Sequence, residues 1–169
     1  MKKLCLAVFV LFFIVGCGKK ELADCKQDVI SFEKEFLSVD AKFQKGYARF
    51  RNILKDTLSG TTDATQWLQI AQDAKRTAET AHAVAYRLHI SSSVPDDLYE
   101  TLENVRKNIS VSYFAQMKMA DNVIFILTHS GEMYSTQASL ATEAQNYMFR
   151  AVIGLTQAKQ MVGMLEKNG

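Results

Sequence analysis

The chain has 169 residues, with 20 basic and 18 acidic side chains and a single proline. A formal net charge of +2 leaves no strong field to steer DNA, RNA or another polyanion, so nucleic-acid binding is not expected. Three cysteines cannot supply a four-cysteine zinc site.

The N-terminal segment has the layout of a secretory signal peptide. Lys2 and Lys3 form a positive start, and residues 4–15 form an apolar run that is too short for a comfortable membrane span. The quartet Ile14-Val15-Gly16-Cys17 then resembles the lipobox of bacterial lipoproteins. The resemblance implies that Ile14, Val15 and Gly16 direct cleavage, and that the sulfur and new amino group of Cys17 carry lipid.

The same resemblance predicts where the mature chain is held. Several acyl chains on one residue make membrane anchoring stable, whereas a single chain binds only marginally. Gly18 follows Cys17, and in Gram-negative members of the class a residue other than Asp implies the outer membrane. In other bacteria the expected site is the outer face of the cytoplasmic membrane. The alternatives are an ordinary signal peptide with an incidental thiol at Cys17, and an uncleaved signal anchor.

Behind the signal peptide (residues 1–16) and a short tether (residues 17–21), a sustained helical period predicts one domain over residues 22–169. The first helix is expected over about 22–58, because apolar residues recur there in two heptad rows. The rows are Leu22, Val29, Phe36, Phe43, Phe50 and Cys25, Phe32, Val39, Gly46, Ile53, widened by Leu37, Tyr47 and Leu54. The position of Cys25 in this stripe favours a buried thiol, with pairing between chains as the alternative.

Three further helices are expected over about 63–90, 94–129 and 132–166. Thr62 or Asp63 is a candidate N-cap for the second helix, and Ser93 with Pro95 marks the start of the third. Gly60 and the segment His129-Ser130-Gly131 are expected at the other helix ends. Four helices with short connections predict an all-α, up-down-up-down four-helix bundle.

Catalytic and metal-binding patterns are weak. None of the serines has a nucleophile-elbow motif around it, and His129-Ser130 reads as a loop histidine beside a helix cap. Glu79 precedes His82 by three residues, but a di-metal bundle site needs a second such pair on another helix. The methionine pairs Met117/Met119 and Met161/Met164 resemble copper(I)-handling runs, yet these positions also suit core packing. We therefore predict no catalytic residue, no metal and no cofactor.

The last two helices carry more uncharged surface than a bundle core requires. Residues 138–165 contain only three charged side chains, and residues 123–127 are apolar all round. The residues expected to form a partner-binding face are Phe125, Ile126, Met148, Phe149, Val152, Ile153, Leu155 and Val162. The small pair Gly154 and Ala158 indicates a close helix contact somewhere on the last helix.

These patterns together predict a membrane-anchored lipoprotein whose bundle binds a partner protein without catalysis. Helical lipoproteins of this class serve as assembly factors, exclusion or immunity factors, and subunits of envelope complexes, and the sequence does not choose among them. A self-associating structural lipoprotein, such as a homodimer, and a bundle that binds copper or another ligand are the alternatives.

Overall fold

The computed structural model describes the backbone of residues 2–56, 63–129 and 134–168, and the side chains of residues 23–54, 63–129 and 138–163. These ranges contain four helices and no strand. The helices are α1 (Lys2–Asp56), α2 (Ala64–Tyr86), α3 (Asp96–His129) and α4 (Tyr134–Asn168). The predicted all-α class and the number of helices in the domain are confirmed.

Helix α1 begins earlier than predicted. Its backbone is helical from Lys2, so it runs without a break through the expected cleavage site before residue 17. No proline interrupts this stretch, and its leucine and alanine residues favour helix. The side chains of the quartet Ile14-Val15-Gly16-Cys17 lie outside the described residues, as do Gly60, Ser130 and Gly131.

Contacts between α2 and α3 show that these neighbours are antiparallel. Lys75 Nζ donates to Asp121 Oδ1 at 2.7 Å, whereas His82 Nδ1 lies 2.9 Å from the Ser110 carbonyl oxygen. Residue numbers rise along one helix as they fall along the other. Helices α1 and α2 meet closely at Gly46, where an added Cβ would lie 2.7 Å from Thr77 Cγ2.

Helix α4 completes the four-sided bundle. Lys159 donates to the Glu33 carboxylate, which places the C-terminal half of α4 beside the middle of α1. Across the diagonal, α1 and α3 run in the same direction. The ring centres of Phe43 and Tyr113 lie 4.7 Å apart, and one turn further on Tyr47 donates to the Gln116 carbonyl oxygen at 2.8 Å. The up-down-up-down arrangement follows from these pairings.

The core agrees with most of the predicted heptad rows. On α1 the buried side chains are Cys25, Val29, Phe32, Phe36, Phe43, Tyr47 and Phe50. The Cys25 thiol is therefore inside the bundle, as the first interpretation of this residue expected. The prediction for Leu37 is wrong. This side chain was expected to widen the core stripe, but it is 55% exposed because it is turned beyond the edge of that stripe.

The α2–α3 connection differs from the prediction at both ends. Helix α2 ends at Tyr86, where the Arg87 amide donates to the Val84 carbonyl in a tight final turn. Ser93 does not cap α3; it bonds to Ser91 and to Asp28 of α1 instead. The predicted cap at Asp63 is confirmed, since its carboxylate accepts the Thr65 amide at 3.0 Å.

Candidate functional site

The solvent side of α4 is the most unusual surface of the described chain. A helix turns by 100° per residue, so positions spaced by three and four residues share a face. The face opposite the core carries eight exposed residues without a charge, which we call the α4 stripe. It consists of Ala138, Thr142, Gln145, Phe149, Val152, Ile153, Thr156 and Gln160. The stripe extends roughly 33 Å at 1.5 Å per residue.

Three of the predicted partner-face residues form the centre of this stripe. Phe149 is 66% exposed, Val152 50% and Ile153 42%. They lie at spacings of three and four residues, so their side chains stand next to one another on the surface. These three side chains are therefore accessible to solvent, which the sequence alone did not decide.

Two residues of the predicted face were wrongly placed there. Leu155 is 7% exposed and Val162 4% exposed, so both belong to the core. Together with half-buried Met148 they form a heptad row that packs beside the row of Ala144, Ala151 and Ala158. A neighbouring heptad row through Tyr147 and Gly154 is also largely apolar, so the residue pattern alone does not decide which row is buried, and the positions of α1 and α3 do.

The α3 part of the predicted face lies far from the α4 stripe. Ser112 Oγ donates to the Ala144 carbonyl oxygen at 2.8 Å, and Val105 lies beside Gly154. These contacts put Phe149 level with the middle of α3, about 25 Å along the bundle from Phe125 at 1.5 Å per residue. Phe125 is 45% exposed and Ile126 is half-buried, so they form a second surface at the end of α3. The eight predicted residues therefore do not form one face.

The close contact indicated by Gly154 and Ala158 is inside the bundle. Ala158 is fully buried, and a Cβ on Gly154 would lie 2.7 Å from Val105 Cγ2. These small residues allow α4 to approach α3, and so they are not part of the exposed surface.

The three charged side chains of this part of α4 lie on the flanks of the stripe. Lys159 is turned towards Glu33 of α1. Arg150 lies on the opposite flank, where its guanidinium carbon is 5.4 Å from the centre of the Tyr147 ring, and Glu143 lines the same shallow surface. The centre of the stripe is therefore uncharged and has charged groups only at its edges.

Sequence reasoning missed two exposed apolar residues on α1. Ile30 is 46% exposed and Leu37 is 55% exposed, on the side of α1 that is turned to solvent. Their spacing of seven residues, one position beyond the buried Val29 and Phe36, is the signal that could have identified them. Lys26 and Lys34 lie close to them on the same face, so this apolar surface is interrupted by charge.

One serine–histidine pair occurs in the described chain, between α2 and α3. Ser110 Oγ and the Ser110 carbonyl oxygen both lie 2.9 Å from His82 Nδ1. A carbonyl oxygen only accepts, so the hydrogen bond to it requires a proton on Nδ1. That nitrogen cannot then act as the base for the Ser110 hydroxyl, and the pair serves to join two helices.

The metal-binding patterns are not brought together. Within the described residues, no group of three or more His, Cys, Asp or Glu side chains could hold a metal ion. Thr101 Oγ1 lies 3.6 Å from Met161 Sδ, so Met161 is level with the start of α3. Met117 is 16 residues further along α3, about 24 Å away, so the two methionine pairs cannot share an ion.

A groove between α1 and α2 is smaller but more enclosed and more apolar than the shallow openings beside Tyr147 and beside Lys75. Its volume is about 380 Å³, near the lower end for a ligand pocket. It is lined by Val39, Lys42, Phe43, Arg76, Thr77, Thr80, Ala81 and Val84. Arg76 on its rim pairs with Asp73, and the hydroxyls of Thr77 and Thr80 donate to carbonyl oxygens of α2 itself.

Two buried tyrosines have perturbed acidity. Burial raises the pKa of Tyr47, and the nearby Arg51 charge opposes this only in part. Burial also raises the pKa of Tyr113, and the Asp40 carboxylate, which accepts its hydroxyl at 3.0 Å, raises it further. Both hydroxyls remain protonated donors at neutral pH and connect α1 to α3.

Across the residues described here, none of the helices is both long and apolar enough to cross a membrane. Comparison with protein-family models, with curated proteins and with solved structures gives no match for this chain.

Proposed function

We propose that this chain is a lipid-anchored envelope lipoprotein whose helical bundle binds another protein without catalysis. The observation that carries the binding role is the α4 stripe, where Phe149, Val152 and Ile153 are exposed side by side. A bundle helix needs only one apolar face, which packs against the core. A second apolar face on the solvent side is typical of a surface that binds a partner.

The anchor is proposed from the resemblance of residues 14–17 to a lipobox. Ser93 Oγ donates to Asp28 Oδ2 at 3.4 Å, so the α2–α3 connection is level with Asp28. Cys17 is 11 residues upstream of Asp28, about 16 Å along a continuous helix. A lipid on Cys17 would therefore hold this end of the bundle towards the membrane, with the α4 stripe facing sideways above it.

The absence of catalysis is proposed because the strongest candidate pair, Ser110 and His82, is arranged to join helices. The Nδ1–H group of His82 already donates a hydrogen bond to the Ser110 backbone carbonyl oxygen. The function is then one of placement: lipid confines the domain to a surface, and the α4 stripe selects what binds there.

The anchor is tested by feeding cells that express the full chain with an alkyne-labelled fatty acid. We expect label on the wild-type protein and none on Cys17→Ser, together with loss of the latter from the membrane fraction. Equal labelling of both proteins, or none on either, would contradict the proposed anchor.

The binding role is tested by placing a photoreactive amino acid at Phe149 in cells, with Asn104 as a matched exposed control on α3. We expect a discrete cross-linked species from position 149 and none from position 104. The same faint background from both positions would show that the α4 stripe has no partner.

A further inference from the structure

The lack of charge on the solvent face distinguishes α4 from the other three helices. Each of the others carries charged residues on the face turned away from the core. Examples are Lys26, Lys34 and Lys45 on α1, Arg76 and Glu79 on α2, and Glu100, Lys107 and Lys118 on α3. Over the length of the α4 stripe the corresponding positions are apolar, threonine or glutamine.

We infer that the α4 stripe is the contact between two copies of this chain, standing side by side on one membrane with their α4 helices parallel. The inference rests on the proposed function, because the lipid on Cys17 sets the orientation. Two copies anchored in the same surface are related by a twofold axis along the membrane normal. Such an axis keeps both α4 helices pointing towards the membrane and places equal residues at the same height.

A parallel pair of this kind sets each residue of the stripe against its own copy. A charged residue would then face a like charge, which is costly at an interface. The contact face of a parallel pair must therefore lack charged residues. The solvent faces of α1, α2 and α3 carry such residues, and among the described helices only the α4 stripe lacks them.

The side chains of the stripe are also self-complementary in hydrogen bonding and packing. Phe149, Val152 and Ile153 would meet their own copies at the centre and bury apolar surface. Threonine and glutamine each contain both a donor and an acceptor, so Thr142 and Gln160 can bond to their own copies at the two ends. In an isologous contact, a residue that lies at the twofold axis meets its own copy and therefore needs this property.

The size of the apolar centre indicates a weak contact. At the exposed fractions found, its three side chains offer roughly 300 Å², taking about 150–250 Å² for a large aromatic side chain and somewhat less for the aliphatic ones. A stable interface buries about 800 Å² per partner. We therefore expect association on a membrane, where anchoring raises the effective concentration, and a monomer in dilute solution.

The test is disulfide formation between single cysteines in the full, membrane-bound chain. Thr142→Cys and Gln160→Cys lie near opposite ends of the stripe, and Asn104→Cys is an exposed control on α3. We expect Thr142→Cys and Gln160→Cys each to form a disulfide-linked dimer when expressed alone, and Asn104→Cys and wild type to form none. An antiparallel pair would give a dimer only when the two variants are expressed together, and that result would overturn the inference.

A second measurement separates this inference from the proposed function. In a Cys17→Ser background we expect the yield of the Thr142→Cys dimer to fall at least about tenfold, because the shared membrane surface is lost. If the chain carries lipid and position 149 cross-links only to a protein of another mass, while neither cysteine gives a dimer, the proposed function stands and the second copy is excluded.

Discussion

Raising the pH should destabilise this protein through two buried tyrosines. Tyr47 and Tyr113 are almost inaccessible, and their hydroxyls bond to the Gln116 carbonyl at 2.8 Å and the Asp40 carboxylate at 3.0 Å. Burial raises the pKa of both hydroxyls well above the ordinary tyrosine value of about 10. In the unfolded chain they regain that ordinary value.

The sign follows from which state releases the proton first. Between the ordinary pKa and the raised one, the unfolded chain has lost the tyrosine proton and the native chain still holds it, so stability falls as pH rises. At pH 11 ionisation of the unfolded state costs about 1.4 kcal/mol for each tyrosine, or about 2.8 kcal/mol for the pair. Below about pH 9 neither tyrosine contributes to a pH dependence.

The assay is urea unfolding at about pH 8 and about pH 11, for wild type and for the double variant Tyr47→Phe/Tyr113→Phe. The variant lacks two hydrogen bonds and should start about 2–4 kcal/mol less stable. The informative quantity is the loss between the two pH values, because lysines and the other tyrosines contribute equally to both proteins. We expect wild type to lose about 2.8 kcal/mol more than the variant.

Tyrosinate absorbance in the ultraviolet gives an independent count. Six tyrosines are present, and the two buried ones should ionise only as the protein unfolds. Equal stability losses in wild type and variant, or complete tyrosine ionisation while the helical signal is intact, would refute the reasoning.

Three further predictions concern the packing of α4 and the α2–α3 connection, and each is tested by urea unfolding at neutral pH. Gly154→Ala should destabilise the protein by about 1 kcal/mol despite the better helix propensity of alanine, because the new Cβ meets the Val105 methyl group. In a Val105→Ala background the same substitution should stabilise the protein instead. Destabilisation in both backgrounds would rule out the clash. Leu155→Ala should lower the free energy of unfolding by about 2–4 kcal/mol, because Leu155 is buried. Phe149→Ser should lower it by less than about 0.5 kcal/mol, because Phe149 is exposed. Similar losses for the two variants would contradict the assigned face of α4. Arg106→Ala should lower the free energy of unfolding by about 2 kcal/mol. The Arg106 guanidinium pairs with the largely buried Glu103 carboxylate and donates to the Leu88 carbonyl oxygen just beyond α2. An unchanged urea midpoint would show that these contacts contribute nothing.

Predictions based on local chemistry agreed best with the structure. The cap at Asp63 depends only on an acceptor two residues before a free amide, and it was found as expected. The start of α3 was less accurate, because Ser93 bonds to Ser91, two residues away, and also to Asp28, which is 65 residues away in the chain. No local pattern contains that contact.

The amino-acid sequence by itself determined the helical class, the number of helices in the domain and most of the core of α1, because a heptad row of aromatic residues has only one way to be buried. It also determined that α4 has too few charges for an ordinary surface helix. Only the tertiary structure decided which side of α4 is the surface. Apolar residues surround that helix, and the approach of α3 at Gly154 turns Leu155 inward and leaves Phe149 in solvent.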